Sequence, residues 1–234
     1  MCTVSFLPKN KSDFLLTSNR DEAPGRATRA PQIYVEEGIQ LLFPKDEVAG
    51  GTWIGTSDKK RAISLMNGGF VPHERKPYYG RSRGLILKDL LMVPNVKKYL
   101  EDYDFSEIEP FTVVFVSWQD QLELWEIVWD GKTLHRLQKE WKPHIWSSSP
   151  LYSKEYKNLR EEWFAELLTK RTDAEDVLEF HNSAGNGNKE YGLIMDRGFV
   201  RTKSITQIVK VGAELSMYYH DLQSGETSIT ALNV

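Results

Sequence analysis

Met1-Cys2-Thr3-Val4-Ser5-Phe6, the turn-forming residues Pro8 to Asp13, and Phe14-Leu15-Leu16-Thr17-Ser18 running into Asn19-Arg20-Asp21-Glu22 together spell a β-hairpin. Residues 2–7 and 14–18 are strand-prone runs separated by a polar turn, so the second strand carries Asn19 to Glu22 back towards Cys2. Cys2 is the only cysteine in 234 residues. A methionine ahead of a residue this small is commonly removed, so the mature chain is expected to begin with a thiol and a free amine on one residue. An α-amine titrates at about 7.7–8.0 and can take the thiol proton directly or through one water. The competing reading is a small buried cysteine at the start of a strand.

The bulk numbers restrict the classes open to the chain. Hydrophobic residues make up 40% and charged residues 27%, with 7 Trp, 10 Tyr and 10 Phe, enough to bury a sizeable core. With 30 Lys and Arg against 33 Asp and Glu, the formal charge is -3 and no long single-sign run occurs. A nucleic-acid partner is therefore not expected. One cysteine makes neither an internal disulfide nor a thiolate cluster, and the five histidines (His73, His135, His144, His181, His220) show no ligand spacing, so no metal is expected. No stretch reaches membrane-spanning length, and Pro8 to Asp13 interrupt any signal-like apolar core. The expected location is the cytoplasm.

Working outward from the hairpin, a loop over Ala23 to Pro31 precedes extended pieces at Gln32–Val35 and Ile39–Phe43. Gly50-Gly51-Thr52-Trp53-Ile54-Gly55 and Arg61 to Gly69 read as two more strands whose glycines mark close backbone approaches. From Ser82, a plausible N-cap, Leu85, Ile86, Leu90 and Leu91 take helical spacing, and a second helical piece follows Pro94 through Val96 and Leu100. Phe111–Trp118, Leu122–Trp129 and Thr133–Leu137 form a strand meander with Asp130-Gly131 at one turn. Residues 151–170 and 173–182 return to helical periodicity as a pair, and 192–195, 204–211, 214–222 and 227–232 read as strands. Strands and helices in separate runs argue for antiparallel sheets with segregated helices, an α+β class without linker or repeat.

Asn19 predicts a turn at Arg20-Asp21, which would let both side chains reach the N-terminus. Asp21 could then orient the amine, while Arg20 could lower the thiol pKa or grip a substrate carbonyl or carboxylate. The alternative is a surface ion pair of little worth.

Met1-Cys2 with Asn19-Arg20-Asp21-Glu22, then Gly50-Gly51-Thr52-Trp53-Ile54-Gly55, Asn67 at a strand end, Ser82-Arg83-Gly84, Ser148-Ser149-Pro150-Leu151 and Arg201-Thr202-Lys203-Ser204, resembles the Asn-Arg-Asp-Glu family that includes the transport and Golgi organisation 2 proteins. The resemblance spans most of the chain. That family is similar to the N-terminal-nucleophile (Ntn) cysteine hydrolases of the choloylglycine hydrolase and penicillin V acylase type. It implies one Ntn-hydrolase-like domain over residues 1–234, a four-layer αββα sandwich with antiparallel sheets. It further implies Cys2 as nucleophile, Arg20 and Asp21 as active-site partners, and Asn67 as an oxyanion contact, with Asn67 read from sequence alone equally a turn residue before Gly68-Gly69. Arg201, Ser148 and Trp53 fall to substrate binding. Where the acylases carry an asparagine, this chain has Ser147-Ser148-Ser149, whose hydroxyls can donate to an oxyanion with a shorter reach.

The function expected from the resemblance is hydrolysis of a C–N bond in a small amide, through a thioester on Cys2 and without a cofactor. A second class is a carrier or chaperone of a hydrophobic or haem-like ligand, to which Trp118, Trp125, Trp129, Trp141 and Trp146 could contribute and Met66, Met92, Met195 or the histidines could ligate. A third is a trafficking protein in which Cys2 is structural.

Overall fold

The computed structural model describes residues 3–233 in full and the backbone of Cys2. Its strands are β1 (Cys2–Pro8), β2 (Phe14–Glu22), β3 (Thr28–Glu36), β4 (Ile39–Asp46), β5 (Ile54–Ser57), β6 (Arg61–Asn67), β7 (Phe111–Ser117), β8 (Glu123–Trp129), β9 (Leu134–Gln138), β10 (His144–Ser147), β11 (Arg201–Val211), β12 (Glu214–Asp221) and β13 (Thr227–Asn233). The helices are α1 (Arg83–Met92), α2 (Val96–Asp102), α3 (Lys154–Leu167) and α4 (Ala174–Ser183). One sheet has the order β10-β1-β2-β11-β12-β13; the other runs β3 to β9 in sequence order. The pairings within both sheets are antiparallel.

Side-chain alternation builds four layers. Val4 and Phe6 of β1, Phe14 and Leu16 of β2, Ala62 and Met66 of β6, and Val114 and Val116 of β7 meet in the core between the sheets. The intervening Ile63, Leu65, Val113 and Phe115 instead pack against Ile86, Leu87, Leu90 and Leu91 of α1. On the far side of the other sheet, Leu7 and Leu15 pack on Val177 of α4. β6 and β7 carry apolar residues on both faces because both faces are covered. The result is the αββα sandwich. Trp118 and Trp141 pack edge-on against Phe14 of the inter-sheet core, and the Trp129 indole donates to the Ile108 carbonyl at 2.9 Å.

The helix starts follow the sequence. Ser82 caps α1 by accepting from the Gly84 N–H, Ser153 caps α3, and Asp173 forms a reciprocal capping box with Asp176 at α4. Three expectations need correction. Asn19 makes no turn: β2 continues to Glu22 because β11 pairs along it, with Arg201 opposite Glu22 and Thr202 opposite Asp21. Residues 192–195 form no strand, only bends that lead to an isolated bridge between Asp196 and Arg201. His144–Ser147, unrecognised in the sequence, is a strand because the edge of β1 accepts it, Thr3 opposite Ser147. In both strand cases tertiary pairing overrides local propensity.

Candidate active site at the Cys2 end of the sandwich

Cys2 lies opposite Arg20 in the β1–β2 register, and its side chain lies outside the described residues. Because β2 stays extended, Arg20 and Asp21 point to opposite faces. Arg20 enters the space between the sheets. Its guanidinium lies 4.3 Å from the centre of the Trp53 ring and donates to Asp46 Oδ2 at 2.5 Å and Thr28 Oγ1 at 2.7 Å. Arg26 Nε donates to the same Asp46 oxygen at 2.6 Å. The other Asp46 oxygen accepts from the Val48 and Ala49 N–H groups. Burial works against ionisation of Asp46, yet Arg26, the Ala49 N–H and Arg20 hold its carboxyl below the usual range.

Arg20, Trp53, Asn67, Gly51 and Arg83 share the wall of one cavity of about 80 Å³. Blocks far apart in sequence meet here for a steric reason. Thr52 donates its N–H to the Gly84 carbonyl at 3.3 Å, and the Gly51 and Gly84 backbones are in contact. A side chain at either glycine would separate the Gly-Gly-Thr-Trp segment from the start of α1. The Trp53 indole N–H is buried here without a hydrogen-bond partner among the described residues. Arg83 is anchored by Glu109 at 2.9 Å and the Pro110 carbonyl at 3.1 Å.

Ser148 lies on a second cavity, of about 160 Å³, with Met66, Gly69, Trp146 and Lys157. Its hydroxyl is buried and has no hydrogen-bond partner among the described residues. Ser149, next to it, donates to the Gly69 carbonyl at 2.5 Å and accepts from Lys157 Nζ at 3.0 Å. Gly68, at φ +85°, lies against the ring of Pro150, where a β-carbon would meet Pro150 Cγ at 2.6 Å. Segment 148–150 thereby sits on the end of β6 just past Asn67. Arg201 lines neither cavity. It sits opposite Glu22 in register, with its Nε 4.0 Å from an Asp196 oxygen and without a hydrogen-bond partner among the described residues.

Asp21, on the helix-facing side of β2, is fully buried. Its Oδ2 accepts from the Tyr152 hydroxyl at 2.5 Å, and its Oδ1 lies 2.8 Å from Thr202 Oγ1. Arg160 of α3 is equally buried, with its guanidinium 3.5 Å from the centre of the Tyr152 ring. Burial pushes the Asp21 carboxyl up, while the chain's amino-terminal charge, the Tyr152 hydroxyl, Arg160 and Thr202 act to lower it. In the same layer Ser5 Oγ lies 2.7 Å from His181 Nε2, and His181 Nδ1 lies 2.5 Å from Asn19 Oδ1. Asn19 donates through its amide nitrogen to the His181 and Leu193 carbonyls, so Oδ1 accepts the Nδ1 proton and Nε2 accepts from Ser5. Burial, with Arg160 adding to it, lowers His181 to about 3. This Ser-His-Asn set is fully buried and reaches neither cavity, so it ties α4 to β1 and β2 rather than meeting a substrate.

Sequence reasoning missed Asp46, Tyr152, Arg160 and Thr202. Only Tyr152 and Thr202 had a signal: Thr202 lies inside the Arg201-Thr202-Lys203-Ser204 block, and Tyr152 directly follows Ser148-Ser149-Pro150-Leu151.

The fold is that of the Ntn-hydrolase-like αββα sandwich. Solved structures similar to this chain include conjugated bile acid hydrolase from Clostridium perfringens, with a TM-score of 0.60 at 13% identity over 99% of this chain and 92% of that one. The Caenorhabditis elegans ortholog of N-acylethanolamine-hydrolyzing acid amidase matches with a TM-score of 0.62 at 12% identity, covering 89% and 92% of the two chains. Penicillin V acylase from Agrobacterium tumefaciens matches with a TM-score of 0.50 at 9% identity, covering 100% and 86%. By sequence, the chain belongs to the transport and Golgi organisation 2 family, whose model matches residues 1–195. No curated protein matches it significantly. Among the described residues no helix is long and apolar enough to cross a membrane.

Proposed function

We propose that this protein is an N-terminal-nucleophile cysteine amidohydrolase, cleaving the C–N bond of a small amide through a thioester on Cys2. The observation that carries the reading is convergence: Arg20, Trp53, Asn67 and Ser82-Arg83-Gly84, from four separated segments, wall one cavity beside the register position of Cys2. In this mechanism the freed amine of Cys2 takes the thiol proton and the thiolate attacks the carbonyl. Asn67, backbone N–H groups and the Ser148 hydroxyl hold the oxyanion, and water then releases the acid. Arg20, fixed by Asp46 and Trp53, presents a positive wall to the carbonyl side. The reading takes the chain as one domain acting in the cytoplasm without a cofactor. The bile acid hydrolase, the amidase and the acylase support it through their shared fold.

The test is intact mass before and after iodoacetamide treatment, with Cys2→Ala as control. Loss of Met1 and rapid single labelling at neutral pH support the reading and justify an amide screen. Retained Met1, or a Cys2 no faster than a free thiol, overturns it.

A further inference from the structure

We propose that Tyr152 and Arg160 are positioning residues of this site, together holding the Asp21 carboxylate ionised and fixed in the buried layer behind the strand that carries Cys2. The inference rests on the hydrolase reading for its purpose, but its geometry stands apart from it.

Asp21 and Arg160 are opposite charges buried in one layer, and the Tyr152 side chain lies between them. Its hydroxyl binds the carboxylate at 2.5 Å and its ring face receives the guanidinium at 3.5 Å. A buried carboxylate is tolerated only with donors and compensating charge, and a cation over an aromatic face in a desolvated layer is a strong form of that contact. The Arg160 hydrogen bonds go to neutral acceptors: Thr3 Oγ1 at 2.6 Å, Ser147 Oγ at 3.3 Å, and the Tyr191 and Gly192 carbonyls. Among the described residues no carboxylate lies within ion-pairing distance of it. Its positive charge is thus left to act on Asp21 through the tyrosine.

Thr3 follows Cys2, Ser147 precedes Ser148, and the two are register partners across β1 and β10. One guanidinium therefore sets the height of the nucleophile's strand against the strand that leads to Ser148. Among the described residues, the charged and titratable groups facing Asp21 are Tyr152 before α3 and Arg160 on α3. From α4, neutral His181 reaches the layer through Asn19. From β11, Thr202 contacts Asp21, while Lys203 turns away at a bulge to bind the Pro24 and Arg26 carbonyls. Of these, Tyr152 is the group whose hydroxyl can be removed without changing the shape of the layer.

The experiment follows the Asp21 carboxyl carbon by NMR in aspartate-labelled protein, assigned with Asp21→Asn, alongside the pH–rate profile of Cys2 alkylation. The variants are Tyr152→Phe, which keeps the ring, and Arg160→Lys, which keeps the charge but loses the planar contact. The expected result is a rise of about one pH unit in the Asp21 midpoint in Tyr152→Phe, with the acidic limb of the alkylation profile moving alongside it. An unmoved Asp21 midpoint in both variants overturns the inference whatever Cys2 does. A moved midpoint with an unmoved alkylation profile overturns the link to the nucleophile. An inert wild-type Cys2 defeats the hydrolase reading instead, and the Asp21 titration still decides the coupling.

Discussion

Gly51 and Gly84 meet backbone to backbone: a β-carbon on Gly51 would lie 2.8 Å from Gly84 Cα, and one on Gly84 would lie 2.8 Å from the Thr52 carbonyl oxygen. Two effects oppose each other at Gly84, a residue of the first turn of α1. Alanine there gains roughly 0.5–1 kcal/mol in helix propensity, but overpacking against backbone costs about 1–3 kcal/mol. The steric term wins, because neither Gly51 nor Thr52 can swing aside as a side-chain tip could. Gly84→Ala is expected to lower the urea midpoint with an unchanged denaturant slope. A variant as stable as wild type would show that the two segments are not locked together.

Asp46 serves Arg20 and Arg26 with one oxygen, and this asymmetry sets the second prediction. The Arg26 side chain is 32% exposed, so Arg26→Gln should cost no more than about 1 kcal/mol. Asp46→Asn strands Arg20, whose side chain is only 3% exposed, and should cost about 3–5 kcal/mol. Equal losses in chemical denaturation would mean that Arg20 finds another partner. Asp46 is also held ionised below its usual range, so the stability it adds is complete above pH 4 and lost as the pH falls through its folded pKa.

These arrangements explain what the sequence made legible. The elements were readable because apolar periodicity and cap residues sit in the strand or helix they favour: Ser82 does cap α1, and Phe111–Ser117 is a strand buried on both faces. The Asn19–Glu22 segment was misread locally. Asparagine before two charged residues is a turn signal, but Asn19 and Arg20 pair with Thr3 and Cys2 of β1, and pairing with the distant β11 on the other side carries the strand on through Glu22. That one difference sends Arg20 and Asp21 to opposite faces, each with its own partners. Arg160 could not be found by pattern, since an arginine on a charged helix reads as solvated and its burial depends on Thr3, Tyr152 and the 191–192 carbonyls together.

His181 supplies a pH prediction with a definite sign. Its folded pKa, about 3, lies below the unfolded value of 6.5, so its contribution is complete above pH 6.5 and lost as the pH falls from there towards 3. The slope approaches ~1.4 kcal/mol per pH unit. Asp21, raised in the fold, works the other way in the acid range. The difference between wild type and His181→Gln isolates the histidine: the variant starts less stable but should lose less between pH 6.5 and 5. Parallel stability curves would place the acid sensitivity elsewhere.

Ser148 offers a test in which structure and chemistry separate. Its hydroxyl is buried on the second cavity with no partner among the described residues, so Ser148→Ala breaks no hydrogen bond among them and removes an unsatisfied group. Stability should be unchanged or slightly higher, with a melting temperature at or above that of wild type. If the hydroxyl donates to the oxyanion formed at Cys2, the same change should slow acylation by p-nitrophenyl acetate by roughly 10²–10³, read as the thioester adduct by intact mass. Ser149→Ala is the contrasting control, since Ser149 spends its proton on the Gly69 carbonyl and holds the end of β6. That variant should lose about 1 kcal/mol or more of stability. Acylation at the wild-type rate in a fully stable Ser148→Ala protein would remove Ser148 from the oxyanion site and leave Asn67 and the backbone N–H groups to carry it.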